Sequence, residues 1–198
     1  ADLRGTEREQ RTGTLVVLVV DASGSMGVEH RMAATKAAVL GLLADAYRRR
    51  GRVALVTFRD ASAKIILRPT ASIEIAKARL QDIRTGGTSP LSAGIAAARD
   101  LIDGATGDQA LEPTVVIVTD GRATGAPTAP GQDPLESARH AIQHLAATGA
   151  RIIFVDTETG PTKLGLVADL AAVIDADYVA LGTDPSSIEH AVRSRSWS

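Results

Sequence analysis

The sequence predicts a three-layer, doubly wound, Rossmann-like α/β fold with a mostly parallel central sheet and one antiparallel edge strand. Three observations carry this. Apolar, β-branched runs recur along the chain, at Thr14–Val20, Val53–Phe58, Thr114–Thr119 and Arg151–Val155. Stretches with apolar residues at helical spacing lie between most of them, and strands alternating with helices imply a parallel sheet covered on both faces. One further strand-like run, Ala63–Leu67, follows Val53–Phe58 after only a short polar turn. No crossover helix fits there, so this strand is expected to be antiparallel and at the edge.

Taken in order, Thr14–Val20 (TLVVLVV) has the unbroken apolar character of a strand buried on both faces. Arg31–Arg50 follows as a helix, with Val39, Leu40, Leu43 and Tyr47 on one face. Its last turn carries Arg48, Arg49 and Arg50, with Gly51 just beyond, which suits the negative end of the helix dipole and a left-handed cap. Ile73–Leu80 is a short helix with Ser72 as N-cap. Ser89-Pro90 supplies an N-cap and a proline at the first helical position for Leu91–Asp103. Asp133-Pro134-Leu135-Glu136 reads as a capping box opening a helix to about Thr148, closed by Gly149. A helix near Leu164–Val173, a short strand near Tyr178–Leu181 and a helix from Pro185 to about Arg193 complete the pattern. No internal repeat is visible.

A length of 198 residues suits one such domain. The expected organisation is a polar linker or tail at 1–13, the domain at 14–193, and a tail at 194–198. The chain starts at a residue other than Met and opens with a polar, linker-like stretch, so it reads as an excised domain. Hydrophobic residues make up 44% and charged residues 23%, ordinary for a soluble protein. A net charge of −1 gives no reason to expect nucleic acid or an anionic membrane as partner, and 3% aromatic residues argue against base-stacking platforms. With no cysteine, disulfides, thiolate metal sites and cysteine nucleophiles are excluded. The polar N-terminal stretch is unlike a signal peptide and no apolar run is long enough to span a bilayer, so the cytoplasm is the expected location.

In a doubly wound sheet the working loops lie beyond the carboxyl ends of the strands. Three segments are expected to meet there. The first strand ends in Asp21-Ala22-Ser23-Gly24-Ser25-Met26-Gly27, and the Thr114–Thr119 strand ends in Asp120-Gly121. Between them, Thr85-Gly86-Gly87-Thr88-Ser89-Pro90 leads into a helix. Together they offer two carboxylates and several hydroxyls, with no imidazole and no thiol. An all-oxygen set suits a hard divalent ion, Mg²⁺ first and Mn²⁺ or Ca²⁺ next. Two aspartates would neutralise the ion, so an incoming carboxylate would be favoured at an open coordination position. Taken singly, each segment is an ordinary polar turn or helix start; their combination at strand ends is what points to a metal.

These residues resemble the metal-ion-dependent adhesion site of the von Willebrand factor A (integrin I-like) family, which is Asp-x-Ser-x-Ser, a Thr in a Gly-rich loop and an Asp after a later strand. Asp21, Ser23, Ser25, Thr88 and Asp120 match it residue by residue. The resemblance implies direct metal contacts from Ser23 and Ser25, and direct or water-mediated ones from Thr88 and the two aspartates. A second layer is similar to the C-terminal domain of magnesium chelatase D subunits: Arg31-Met32-Ala33-Ala34-Thr35-Lys36, Arg52-Val53-Ala54-Leu55-Val56-Thr57-Phe58-Arg59, Thr119-Asp120-Gly121-Arg122-Ala123 and Val155-Asp156-Thr157-Glu158. Many such subunits carry Gly or Arg where this chain has Thr88, and Ser or Thr next, so the loop ligand is Thr88 or Ser89.

That resemblance implies a non-catalytic adaptor, coupling an AAA+ ATPase subunit to a large subunit that inserts metal into a tetrapyrrole. An acidic residue of a partner would bind the ion. The alternative is an adaptor of another AAA+ system, such as cobalt chelatase or a MoxR-type assembly factor. No Gly-x-x-x-x-Gly-Lys-Ser/Thr loop occurs, so direct ATP binding by that route is not expected. No histidine has the strand-end placement a serine nucleophile would need. His140 and His144 lie four apart on a predicted helix, yet lack the Glu of a His-Glu-x-x-His pattern and read as a solvated face. Asp156 and Glu158 read as polar loop contacts, and Gly125–Pro134 as a partner-selecting rim.

Overall fold

The structure is a computed structural model that describes residues 13–24, 33, 36, 37, 40, 41, 44, 51–81, 83–105, 111–125, 131–158 and 163–180. Ser25, the loop residues 126–130, the arginine run at 48–50 and the helix expected from Pro185 lie outside these residues. The strands are β1 (Gly13–Asp21), β2 (Arg52–Arg59), β3 (Ser62–Thr70), β4 (Leu111–Thr119), β5 (Arg151–Asp156) and β6 (Asp177–Ala180). The helices are α1 (Ile73–Gln81), α2 (Leu91–Ala105), α3 (Pro134–Ala146) and α4 (Leu166–Ala172). In the Arg31–Arg50 segment, Ala33, Lys36, Ala37, Leu40, Gly41 and Ala44 are helical, as expected.

The strands form one six-stranded sheet in the order β3-β2-β1-β4-β5-β6. Every pair is parallel except β2–β3, and β3 is the edge strand the short turn predicted. β1 shows why the sheet has three layers. Side chains alternate across a strand, so Leu15, Val17 and Val19 enter one core with α2, α3 and α4. Val16, Leu18 and Val20 enter a second core on the other face, with Ala76 and Leu80 of α1 and with Leu40 packed against it. Residues 15–20 are therefore buried without a break.

The chain winds from β1 outward to β2 and β3, then returns to place β4 on the opposite side of β1. The order reverses between β1 and β4, the crevice position where open α/β sheets bind ligands. Asp21 ends β1, and Asp120 follows β4 directly.

Three local expectations need amendment. Ser89 does not cap α2 with its side chain: its hydroxyl is turned to Asp21, while its carbonyl accepts Leu91 N–H and the Pro90 carbonyl accepts the N–H groups of Ala93 and Gly94. Asp133 does cap α3, accepting from the N–H of Leu135 and Glu136 at 2.9 and 3.1 Å. Glu136, expected to complete the box, instead takes Arg139 at 2.8 Å. α4 starts at Leu166, not Leu164, because Glu158 draws off the N–H groups of Leu164 and Gly165. Gly165 is left-handed at φ 69°, which ends any earlier turn.

Candidate metal centre

Backbone hydrogen bonds bring the three polar segments together. After Asp21 the chain turns so that Ala22 N–H donates to the Phe58 carbonyl at 3.1 Å. The Ala22 carbonyl accepts from Gly86 N–H at 2.9 Å, and Gly24 N–H donates to the Gly87 carbonyl at 3.0 Å. A Cβ on Gly24 would lie 3.3 Å from the Gly87 nitrogen, so the two loops touch backbone to backbone. The β2–β3 turn holds the far side. Asp60 N–H donates to the Thr88 carbonyl at 2.9 Å, and the Thr88 hydroxyl donates back to the Asp60 carbonyl. Gly87 is left-handed at φ 83°, and a Cβ there would fall 1.8 Å from Asp60 Oδ1. A side chain there would be strained by the left-handed backbone and would have to push the Asp60 carboxylate aside.

Within this frame Asp21 is the hub. Its Oδ1 accepts from Ser23 N–H at 2.8 Å, and the Ser23 side chain also hydrogen-bonds the carboxylate. Its Oδ2 accepts the Ser89 hydroxyl at 2.8 Å and the Thr119 hydroxyl at 3.2 Å. Ser89 is itself fixed and buried: its N–H donates to Thr124 Oγ1 at 3.1 Å, and its carbonyl accepts from the N–H of Thr124 and Gly125. Asp120, buried beside β1, accepts Arg122 N–H at 3.1 Å, with the Arg122 guanidinium 4.0 Å away and half exposed.

Burial pushes the Asp21 carboxyl above its ordinary range. The hydrogen bonds from Ser23 and Ser89 pull it back, and the negative charge of Asp120 adds to the rise. Two carboxylates and several hydroxyl oxygens thus converge in a largely water-excluded corner. A divalent cation there would supply the missing positive charge, and the all-oxygen donors fit a hard ion. Among the described residues no three His, Cys, Asp or Glu gather into a cluster. The remaining coordination at this corner would have to come from hydroxyls and water.

Of the five residues the sequence singled out, Asp21, Ser23 and Asp120 lie together, and Ser25 is outside the described residues. Thr88 stands at the exposed rim with its hydroxyl on Asp60, while its neighbour Ser89 takes the place on Asp21. Sequence reasoning missed Thr119, the last residue of β4, and Asp60. A hydroxyl directly before Asp120 was a signal for the first; nothing local marked Asp60. Asp156 and Glu158 make the loop contacts expected of them. Asp156 accepts from Glu158 N–H at 2.8 Å and from the Tyr178 hydroxyl at 2.7 Å. The backbone N–H of Leu164 lowers the Glu158 carboxyl below its ordinary value, helped by Gly165, Arg122 and Lys163.

Residues 16–122 match the family model for the von Willebrand factor type A domain, and the chain belongs to that family. It is 47% identical over 194 residues to an uncharacterized protein of Mycobacterium tuberculosis, covering 97% of this chain and 30% of that relative. It is 33% identical over 187 residues to the magnesium-chelatase 67 kDa subunit of Heliobacterium mobile, covering 91% of this chain and 28% of the subunit. The magnesium-chelatase 60 kDa subunit of Rhodobacter capsulatus is also 33% identical, over 183 residues, with 91% and 32% covered. The chain therefore spans about a third of the length of these curated relatives. Among solved structures, the vWF domain of the pilus tip protein Mfa5 from Porphyromonas gingivalis superposes with a TM-score of 0.73 at 12% identity, covering 92% and 95% of the two chains. BatB of Bacteroides thetaiotaomicron gives 0.69 at 17%, covering 94% and 100%. At such identities these two speak for the fold alone. No helix among the described residues is long and apolar enough to cross a membrane.

Proposed function

We propose that this domain binds one Mg²⁺-type cation through Asp21, Ser23, Ser25, Ser89 and Asp120, and offers the ion's open position to a carboxylate of a protein partner. The observation that carries the reading is the buried Asp21 carboxylate, ringed by hydroxyls and set beside a second carboxylate, with no lysine or arginine among its hydrogen-bond partners in the described residues. Ser89 takes the loop position first expected of Thr88, because its hydroxyl is aimed at Asp21. Mn²⁺ and Ca²⁺ are the alternatives on the same chemistry. The ion would act as a Lewis-acid anchor for the partner's carboxylate. The protein's part is to aim the oxygens, exclude water and hold the two loops against each other.

The similarity to magnesium-chelatase subunits supports a non-catalytic adaptor role in a cytoplasmic assembly of that kind. There the partners would be an AAA+ ATPase subunit and a metal-inserting large subunit, and the product pathway that of a metallated tetrapyrrole. The same site would serve an adaptor of a cobalt chelatase or MoxR-type system, and the partner captured would separate these.

Mn²⁺ titration of the wild-type chain and of Asp120→Ala tests the site. A ligand at a hundred times its Kd stabilises a fold by about 2.7 kcal/mol, which for this length raises Tm by roughly 5–10 °C. Wild type should show that rise and Asp120→Ala should lose it while keeping its fold. Equal metal-dependent stabilisation of both proteins would refute the metal assignment. Partner capture that survived EDTA undiminished would refute the carboxylate bridge.

A further inference from the structure

We propose that His140 and His144 form a second metal site, for a borderline divalent cation such as Ni²⁺, Zn²⁺ or Cu²⁺. It shares no residue with the carboxylate centre and does not depend on it. Both histidines lie on α3, four residues apart, so one helical turn stacks them on the same face with Cβ atoms roughly 5–6 Å apart. Both are exposed, as the sequence suggested, but they do not simply face bulk water. Both line one cavity of about 200 Å³ between α2 and α3.

The other polar groups of that cavity are already engaged. The Ser137 hydroxyl donates to Gln132 Oε1 at 3.0 Å, and Arg99 is offset by Asp103 at 3.6 Å. Ser92 also has a partner. Neither imidazole makes a hydrogen bond or ion pair with a described residue. Two imidazoles with no partner among the described residues therefore border one space large enough for an ion and its waters, and their spacing of one helical turn lets both rings reach a common ion.

Imidazole pairs at this spacing hold divalent transition metals. Their donor character favours Cu²⁺, Ni²⁺ and Zn²⁺ over Mg²⁺. Glu136, one turn earlier on the same stripe, is drawn away by Arg139 at 2.8 Å. The protein then supplies two ligands, and water fills the rest of the coordination shell. Such a site exchanges its ion readily, and it selects by donor type where the carboxylate centre selects for hard oxygen-loving ions.

The test is calorimetric titration of the untagged 198-residue chain with NiCl₂ in the presence of excess Mg²⁺. Proton NMR of the imidazole signals during Ni²⁺ addition would locate the ion. Wild type should bind one Ni²⁺ that Mg²⁺ does not displace, with the His140 and His144 signals broadened first. His140→Ala and His144→Ala should each weaken binding by about tenfold or more, at least the loss typical of disturbing a metal's supporting groups. Both variants lie on an exposed face, and an unchanged circular dichroism spectrum and melting point would establish that they fold. The proposal is overturned if the double variant His140→Gln/His144→Gln keeps the wild-type Ni²⁺ affinity, or if His30 or His190 broadens first. It is equally overturned if Asp120→Ala removes Ni²⁺ binding, which would assign that ion to the carboxylate centre.

Discussion

Gly94→Ala sets helix propensity against packing, and the structure decides which prevails. Gly94 lies within α2, and a glycine in a helix interior costs about 1 kcal/mol relative to alanine, so helix chemistry alone predicts stabilisation. A Cβ at this position would lie 2.5 Å from Phe58 Cδ1, 2.9 Å from Cγ and 3.2 Å from Cβ. Carbon atoms rest at about 3.5–4.0 Å, so the ring would have to retreat by about 1 Å. Phe58 is fully buried in the core shared by β2 and α2, and a close-packed interior has no slack of that size. Overpacking of this kind costs about 1–3 kcal/mol. After the propensity gain is subtracted, Gly94→Ala should destabilise the domain by about 1 kcal/mol and at most about 2 kcal/mol, lowering Tm by roughly 2–8 °C. Thermal and urea unfolding would measure it. A Phe58→Leu background supplies the control, because with the ring gone the same alanine should become neutral or stabilising. A Gly94→Ala protein that melts at or above the wild-type temperature would refute the packing argument.

Two further outcomes follow from the site and its surroundings. Ser89→Ala removes a hydroxyl bound to Asp21 and should weaken Mn²⁺ affinity by about 10–100-fold, whereas Thr88→Val should leave it unchanged. Calorimetry on the two variants distinguishes the two loop hydroxyls, and the reverse order would restore Thr88. Tyr178 donates to Asp156, which pushes its phenol up to about 12 from an ordinary 10.0. The folded state holds this proton more tightly than the unfolded one, so the stabilisation is complete below pH 10 and is lost as pH rises toward 12. Ultraviolet titration should show one of the two tyrosines ionising about two units late. In Tyr178→Phe that late transition should vanish, and two tyrosines titrating together near 10 in the wild type would contradict the hydrogen bond.

Much of the fold was legible because it is written in local periodicity. The unbroken run Leu15–Val20 could only be a strand covered on both faces, and its alternate residues do enter two different cores. The turn between Phe58 and Ala63 was too short for a crossover, which alone made β3 antiparallel and peripheral. Asp133-Pro134 announced α3 because a cap acts through its own neighbours. Asp21 and Asp120 could be placed at the working edge because each follows directly on a strand.

Ser89 marks where that legibility stops. Serine before proline at a helix start has an obvious local role as a cap, and nothing within a few residues argues against it. Its actual partner lies 68 residues away on β1, and it is directed there because Thr124 and Gly125 hold its backbone. Thr88 was turned outward by another non-local contact, with Asp60 in the β2–β3 turn 28 residues away. Periodicity, capping and turn chemistry are short-range forces, so they assigned the strands, the sheet order at its edge and the two aspartates. Which hydroxyl faces those aspartates depends on backbone segments clamped across the sheet's end, a choice that exists only once the strands have been packed side by side.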